Sequence, residues 1–332
     1  MKEMESLVFA INAVAPIILM VAIGYFLKKI GFMNESFAKM ANKLMFRIFL
    51  PAMLFLNVYK IESLEGMEFG YMIYSVAVLV IVFLCSIPLV ISVTKKQERR
   101  GAILQATFRS NFALIGFPLA QSLYGEAGAI VATLLSAVVI PIFNIFAVIA
   151  LSVFRKSDEK PSIKSIIFGI VKNPLILGVL SGVAALGVRA LFVRFNISFR
   201  LTDIGPVYST LSYLSSLATP LALLVLGAQF EFSAVSDMKK EIIFGTVMRT
   251  LVVPALAIGV ACIFFGESFR GEHFAAFVAL FATPVAVSSV PMAQEMDSDA
   301  ILAGQLVVWT TLVSAFSVFG ATYILRLIGM LV

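Results

Sequence analysis

The chain has 332 residues, of which 61% are hydrophobic and only 13% charged, with a mean hydropathy of +1.02. A soluble chain carries about 25% charged residues, so the composition excludes a soluble globular protein and identifies an integral membrane one. The net charge of +6 is then loop charge that orients the spans, with no nucleic-acid partner implied. Cys85 and Cys262 both lie in apolar runs, which argues against a disulfide framework or a metal cluster.

Ten spans are placed at roughly 7–27, 37–58, 70–93, 101–122, 128–153, 164–188, 207–230, 240–265, 272–293 and 298–328. Met1 to Ser6 is short and mixed in charge, so Leu7 to Leu27 reads as a first span and no cleavable leader is expected. Lys28, Lys29 and Lys39 flank the first connection, and Lys60, Glu62, Glu65 and Glu68 make the second acidic. The third, Lys95 to Arg100, is strongly basic, while Glu126 is the only charge in the fourth. Arg155, Lys156, Lys160 and Lys164 dominate the fifth, and Lys239 and Lys240 mark the seventh. Odd-numbered connections are thus mostly basic and should face the cytoplasm of a cell with this protein in its inner or plasma membrane. Both termini are then non-cytoplasmic. Two connections disagree: Arg189, Arg194 and Arg200 in the sixth, and the acidic Glu295, Asp297 and Asp299 in the ninth.

The halves repeat. Pro16, Pro51, Pro88 and Pro118 fall in the first four spans, and Pro174, Pro220, Pro254 and Pro291 in spans six to nine. GFPLAQ around Pro118 matches SVPMAQ around Pro291, and each leads into an acidic turn. Each half, 1–154 and 155–332, holds an odd number of spans, so the second is inverted relative to the first. Inverted repeats with paired interrupted helices point to a secondary transporter whose site lies near the midplane.

Spans four and nine are the interrupted pair. Arg109 to Gln121 contains Arg109, Ser110, Asn111, Gly116, Pro118 and Gln121, and the ninth span contains Thr283, Pro284, Ser288, Ser289, Pro291 and Gln294. With the prolines superimposed, Asn111 is equivalent to Pro284 and Gly116 to Ser289. Proline deletes a donor and clashes with the preceding turn. A broken helix exposes N–H groups at one half and C=O groups at the other, and the N–H ends suit an anion. The expected site is therefore largely backbone at Gly116, Pro118, Pro284 and Pro291, with Ser110, Asn111, Ser288 and Ser289 adding side-chain hydrogen bonds.

FRSNFALIGFPLAQSLYGEAG, the LPA run at Leu50 to Ala52, KNPL at Lys172 to Leu175 and TPLALLVLGAQ at Thr219 to Gln229 together resemble the auxin efflux carrier family over nearly the whole chain. That family includes plant carriers and bacterial permeases annotated for malonate or malate. The resemblance implies an all-α fold of ten transmembrane helices as two inverted five-helix repeats, with broken crossover helices four and nine. It is related to the fold of the bile acid:sodium symporters. It implies a scaffold at 1–66 and 161–236, through which a homodimer could form, and a transport domain at 67–154 and 237–332 that moves as an elevator. The family's crossover prolines correspond to Pro118 and to Pro284 or Pro291, and its substrate-binding asparagine to Asn111.

Each residue also has a plainer reading. Asn111 could only cap its half-helix. Arg109, nearer the basic connection, could snorkel rather than meet a carboxylate. Ser288 and Ser289 could bond back to their own helix. Gln121, Thr283 and Gln294 are second-tier, with the two glutamines expected to fix half-helices. Asn144, one turn after Pro141, could face the site or bridge helices. Lys39, Lys43 and Arg47 share one helical face suited to anionic headgroups. Trp309, Thr310, Thr311 and Ser314 read as packing, and His273, the only histidine, as a solvated edge residue. No Asp or Glu falls at mid-depth, which lowers the expectation of tight coupling to sodium or protons. No GxxxxGK[ST], HExxH or GxSxG occurs, which disfavours ATP-driven transport and enzyme function; no cofactor is expected. The sequence reads as a carrier of small organic anions, mono- or dicarboxylates such as malate, malonate or auxin-like acids. A membrane receptor or sensor on a transporter fold is the alternative.

Overall fold

The computed structural model describes residues 2–60, 69–155, 163–269 and 271–331. Glu62, Glu65, Glu68, Lys156, Lys160 and Arg270 lie outside them. The described residues are helical, in the order α1 (Lys2–Lys29), α2 (Glu35–Tyr59), α3 (Phe69–Val93), α4 (Gln97–Phe108), α5 (Phe112–Val153), α6 (Ile163–Val171), α7 (Pro174–Arg194), α8 (Gly205–Gln229), α9 (Lys239–Phe265), α10 (Gly271–Ala282), α11 (Ser289–Glu295) and α12 (Ala300–Leu327). Among them, α2, α3, α5, α7, α8, α9 and α12 are long and apolar enough to cross a membrane. Their exposed faces carry large apolar side chains such as Ile73, Leu180, Ile263 and Phe316, as a lipid-facing surface requires.

The 42 residues of α5 would span roughly 63 Å if straight, about twice a bilayer core of about 30 Å. The chain turns at Tyr124 and Gly125 instead. Gly125 has φ +60° and ψ −149°, a conformation essentially confined to glycine. The GEAG turn thus breaks α5 into two helical stretches.

Prolines set the local irregularities. Four π-helical turns occur among the described residues, at Met45–Phe49, Phe112–Gly116, Met248–Val252 and Val278–Ala282. Each ends two residues before a proline: Pro51, Pro118, Pro254 and Pro284. A proline cannot donate to the carbonyl four residues back and its ring pushes that carbonyl away, so the preceding turn widens. Between α6 and α7, the Asn173 side chain accepts from the Leu175 N–H at 2.9 Å and caps the helix that Pro174 begins.

α1 packs on α8, and α2 on α7 and α8. The closest of these contacts is a glycine pair. A Cβ at Gly24 would stand 2.0 Å from the Leu224 carbonyl oxygen, and one at Gly227 2.0 Å from that of Val21. α4 packs on α5, α9 and α12, while α5 also carries α10, and α11 lies on α12.

Four connections meet at one end of the bundle. Arg99, at the start of α4, donates to Glu241 at 3.0 Å and Asp299 at 3.2 Å and pairs with Asp237. Arg155 pairs with Asp297 at 2.8 Å. The acidic ninth connection, which the charge pattern left unexplained, therefore lies with the basic third and fifth because it neutralises them. Arg99, followed by Lys96, holds the Asp237 carboxyl below the usual carboxylate range. At the other end, Met330 packs against Gly266 in the connection after α9.

His273 corrects the sequence reading. It is 3% exposed, with its ring 4.8 Å from Tyr71 and 5.9 Å from Phe269, centroid to centroid. Its place at the end of span nine suggested solvent, but the aromatic rings of α3 and the 266–269 turn cover it.

Candidate functional site

α4 ends at Phe108 and α10 at Ala282. The two segments that follow are extended and run antiparallel past each other. Ser110 and Val285 form an isolated bridge, the Asn111 N–H donates to the Pro284 carbonyl at 2.7 Å, and the Ala286 N–H to the Arg109 carbonyl at 3.3 Å. Asn111 and Pro284, equivalent in the sequence repeat, thus meet at the crossing. Pro284 is suited to this place because only its carbonyl is used. Thr310 of α12 fixes the second segment by accepting from the Val285 N–H at 3.1 Å.

A cavity of about 160 Å³ opens on one side of this crossing. It is lined from the crossing by Arg109, Ser110, Asn111 and Ser288, from α5 by Phe112, Ile140, Phe143 and Asn144, and from α2, α7 and α8 by Leu50, Asn57, Leu175 and Thr219, among others. At about 30 Å³ per water, it suits a small molecule. Among the described residues no carboxylate lines it.

Arg109 dominates the site. It is 4% exposed. Its guanidinium donates to Gln105 Oε1 at 3.0 Å, to Asn144 Oδ1 at 2.9 Å and to Ser288 Oγ at 2.9 Å, and it touches Met292 Sδ. All these partners are neutral, and no ion pair among the described residues includes it. Burying a cation costs several kcal/mol unless an opposite charge compensates. Snorkelling does not describe this side chain: it reaches into the bundle, toward α5 and the second crossing segment.

Asn111 is 8% exposed and makes no side-chain cap to its own helix. Its Nδ2 has no hydrogen-bond partner, and neither has the Oγ of Ser110. Both residues line the cavity, where unpartnered buried donors are expensive. The helix that starts at Phe112 adds first-turn N–H groups without intrahelical partners. Asn144 both faces the cavity and bridges helices, donating to the Ile140 carbonyl at 2.8 Å while accepting from Arg109.

The other expected residues are placed differently. Gly116, Pro118, Pro284, Ser289 and Pro291 do not line the cavity. Gly116 packs against the Ala279 carbonyl of α10, and Pro118 and Gln121 are exposed. Ser289 is buried with an unpartnered Oγ. Thr283 bonds back to the Ala279 carbonyl at 2.8 Å. Gln294 ties α11 to α2 and α8, accepting from Asn42 Nδ2 and, at 3.0 Å, from Gln229 Nε2.

Sequence reasoning missed Asn57 and Thr219, two of several polar residues in their helices, and it missed Arg249. Arg249 is 0% exposed and sits behind the crossing. It donates to the carbonyls of Thr283 at 2.9 Å, Leu280 and Phe281 at 2.8 Å, and Phe108 at 3.3 Å. A lone arginine inside VMRTLVVP is the same signal that singled out Arg109 and could have found it.

The membrane transport protein family matches residues 9–321 of this chain. The chain belongs to the auxin efflux carrier family. Two relatives are named as transporters. An uncharacterized transporter of Methanocaldococcus jannaschii is 27% identical over 261 residues, covering 74% of this chain and 77% of its own length. Another, of Methanothermobacter thermautotrophicus, is 23% identical over 316 residues, covering 92% and 95%. The protein is thus a multi-pass member of a membrane transport family.

Proposed function

We propose that the chain is a secondary carrier for small organic anions, mono- or dicarboxylates, which bind at the crossing of two broken helices. The observation that carries this is Arg109. It is a buried cation at the wall of a cavity, hydrogen-bonded only to neutral groups, beside the unpartnered Asn111 Nδ2 and Ser110 Oγ. A carboxylate about 4 Å from the guanidinium gains about 4 kcal/mol at an effective dielectric of about 20. Asn111, Ser110 and Ser288 then supply directed hydrogen bonds, and Leu50, Ile140, Phe143 and Leu175 accept the apolar part of the ligand.

In this reading the chain has ten spans in two inverted repeats. α4 with the first turns of α5 forms the fourth, and α10 with α11 the ninth. The pairing of α1 with α8, and of α2 with α7 and α8, supports a scaffold at 1–66 and 161–236, against which 67–154 and 237–332 slide as an elevator. The cavity lies between the two sets, since Asn57, Leu175 and Thr219 come from one and Arg109, Asn111 and Ser288 from the other. The clustering of Arg99, Arg155, Asp237, Asp297 and Asp299 at one end supports a cytoplasmic face there and non-cytoplasmic termini in the cell membrane. The exposed apolar faces of α7 and α8 leave room for a homodimer.

The test is uptake of labelled malonate, malate and indole-acetate-type acids into proteoliposomes. Asn111→Ala is expected to abolish uptake while the purified protein keeps its melting temperature. Equal uptake by the variant would overturn the site.

A further inference from the structure

Carriers built on discontinuous helices hold their coupling cations with unwound backbone carbonyls and with the C-terminal ends of half-helices, where the helix dipole is negative. In this chain those ends are Phe108, which closes α4, and Leu280 to Thr283, which close α10. Their carbonyl oxygens already have a cation. Arg249 Nε donates to Thr283, Nη1 to Phe108, and Nη2 to both Leu280 and Phe281. It is fully buried, and no ion pair among the described residues includes it. Its counter-charge is the convergence of two helix C-termini. Four N–H···O bonds use most of the five donors of a guanidinium, in a fork that a hydrated metal ion could not share.

The position of Arg249 is built. It stands on the π-helical turn Met248–Val252, widened by Pro254. On the same turn, Thr250 bonds back to the Thr246 carbonyl at 2.8 Å. The residues around the two C-termini also lack what a sodium site would add. No cluster of three His, Cys, Asp or Glu exists among the described residues, and the side-chain oxygen of Thr283 is turned to Ala279.

We infer that Arg249 is a tethered replacement for an inorganic coupling cation: its guanidinium occupies the carbonyl-lined place where both broken helices end, so the carrier has no sodium or potassium site there. Arg249 is a positioning residue. It touches no part of the cavity, and it acts by holding the ends of both half-helices so that the extended segments cross where Asn111 and Arg109 need to be. This rests on the broken-helix geometry and not on the identity of the transported anion.

The test uses the full chain purified in detergent, with no transported ligand, and reads melting temperature in sodium, potassium or choline chloride at equal ionic strength. The wild type is expected to melt at one temperature in all three salts. A saturable rise in sodium or potassium over choline would overturn the inference. Arg249→Ala is expected to melt roughly 5–10 °C lower and to recover part of that loss, saturably, with ethylguanidinium, which refills the vacated place with a free cation. The wild type should show no such gain. A variant that melts as the wild type does, or one destabilised with no selective response to ethylguanidinium, overturns the tethered-cation role. If the alanine variant cannot be purified, Arg249→Lys keeps the charge while losing the fork. It is expected to melt below the wild type, at the same temperature in sodium as in choline; equality with the wild type contradicts the fork. Failure of malonate uptake with all these melting results intact would count against the proposed substrate and leave Arg249's role standing.

Discussion

Arg109 and Arg249 are both buried arginines at the same crossing, and they lie in opposite electrostatic surroundings. Arg249 faces the C-terminal ends of two half-helices, whose partial negative charge and free carbonyls satisfy it within the protein. Arg109 faces the side on which the next helix starts, among neutral acceptors and unpartnered donors. One cation completes the fold and the other leaves it incomplete. A buried charge thus reads as structural or functional by whether the protein itself supplies the compensation, not by its residue type or depth.

This contrast can be broken experimentally. The largest stability loss is expected for Arg249→Ala, on the order of 3–5 kcal/mol, because several buried carbonyls lose their donor at once. Arg109→Ala should reverse the pattern. Its melting temperature should stay much closer to that of the wild type, while the apparent affinity for a transported carboxylate falls roughly 100-fold, read from uptake into proteoliposomes. Equal melting losses for the two variants would erase the distinction. Thr310→Val removes the acceptor for the Val285 N–H and should cost about 1–3 kcal/mol, with transport reduced by a misplaced crossing segment. Asp297→Asn, which breaks the exposed pair with Arg155, should change stability by less than about 1 kcal/mol. A larger loss there would show that the connections, not the crossing, dominate stability. Titration should be equally quiet near neutrality. The Asp237 carboxyl is held below its ordinary value, so its ion pair with Arg99 is present above the unfolded carboxylate range and is lost only as pH falls through the lowered value.

Proline chemistry made much of the fold legible. Each proline acts on its own preceding turn, so Pro51, Pro118, Pro254 and Pro284 mark irregular turns without any knowledge of the neighbours. GFPLAQ lies next to the first break for the same reason, whereas the second break is set by Pro284 and not by Pro291 of SVPMAQ. What the sequence hid depends on partners distant along the chain. The acceptors of Arg249 come from residues 108 and 280–283, far from VMRTLVVP, and a strong apolar pattern masked one charge. Asn57 and Thr219 reach the cavity only because α2 and α8 pack across from the crossing. The expected backbone contributors Gly116, Pro118 and Pro291 shape the helices but stand away from the cavity, since the extended segments begin before them. The nearness of Arg109 to the basic connection suggested an escape to the surface, while Gln105, Asn144 and Ser288 draw it inward.

The sharpest test is ligand-induced stabilisation of the detergent-purified protein by a panel of organic anions, beside their neutral amides and cationic analogues, in the wild type and in Arg109→Ala. At about 100 times its dissociation constant a ligand adds about 2.7 kcal/mol, a rise of several degrees for a chain of this size. At least one carboxylate is expected to raise the wild-type melting temperature saturably, its amide should not, and the variant should respond to neither. Stabilisation by neutral or cationic compounds alone, or an undiminished anion response without Arg109, would contradict an anion site built on this residue.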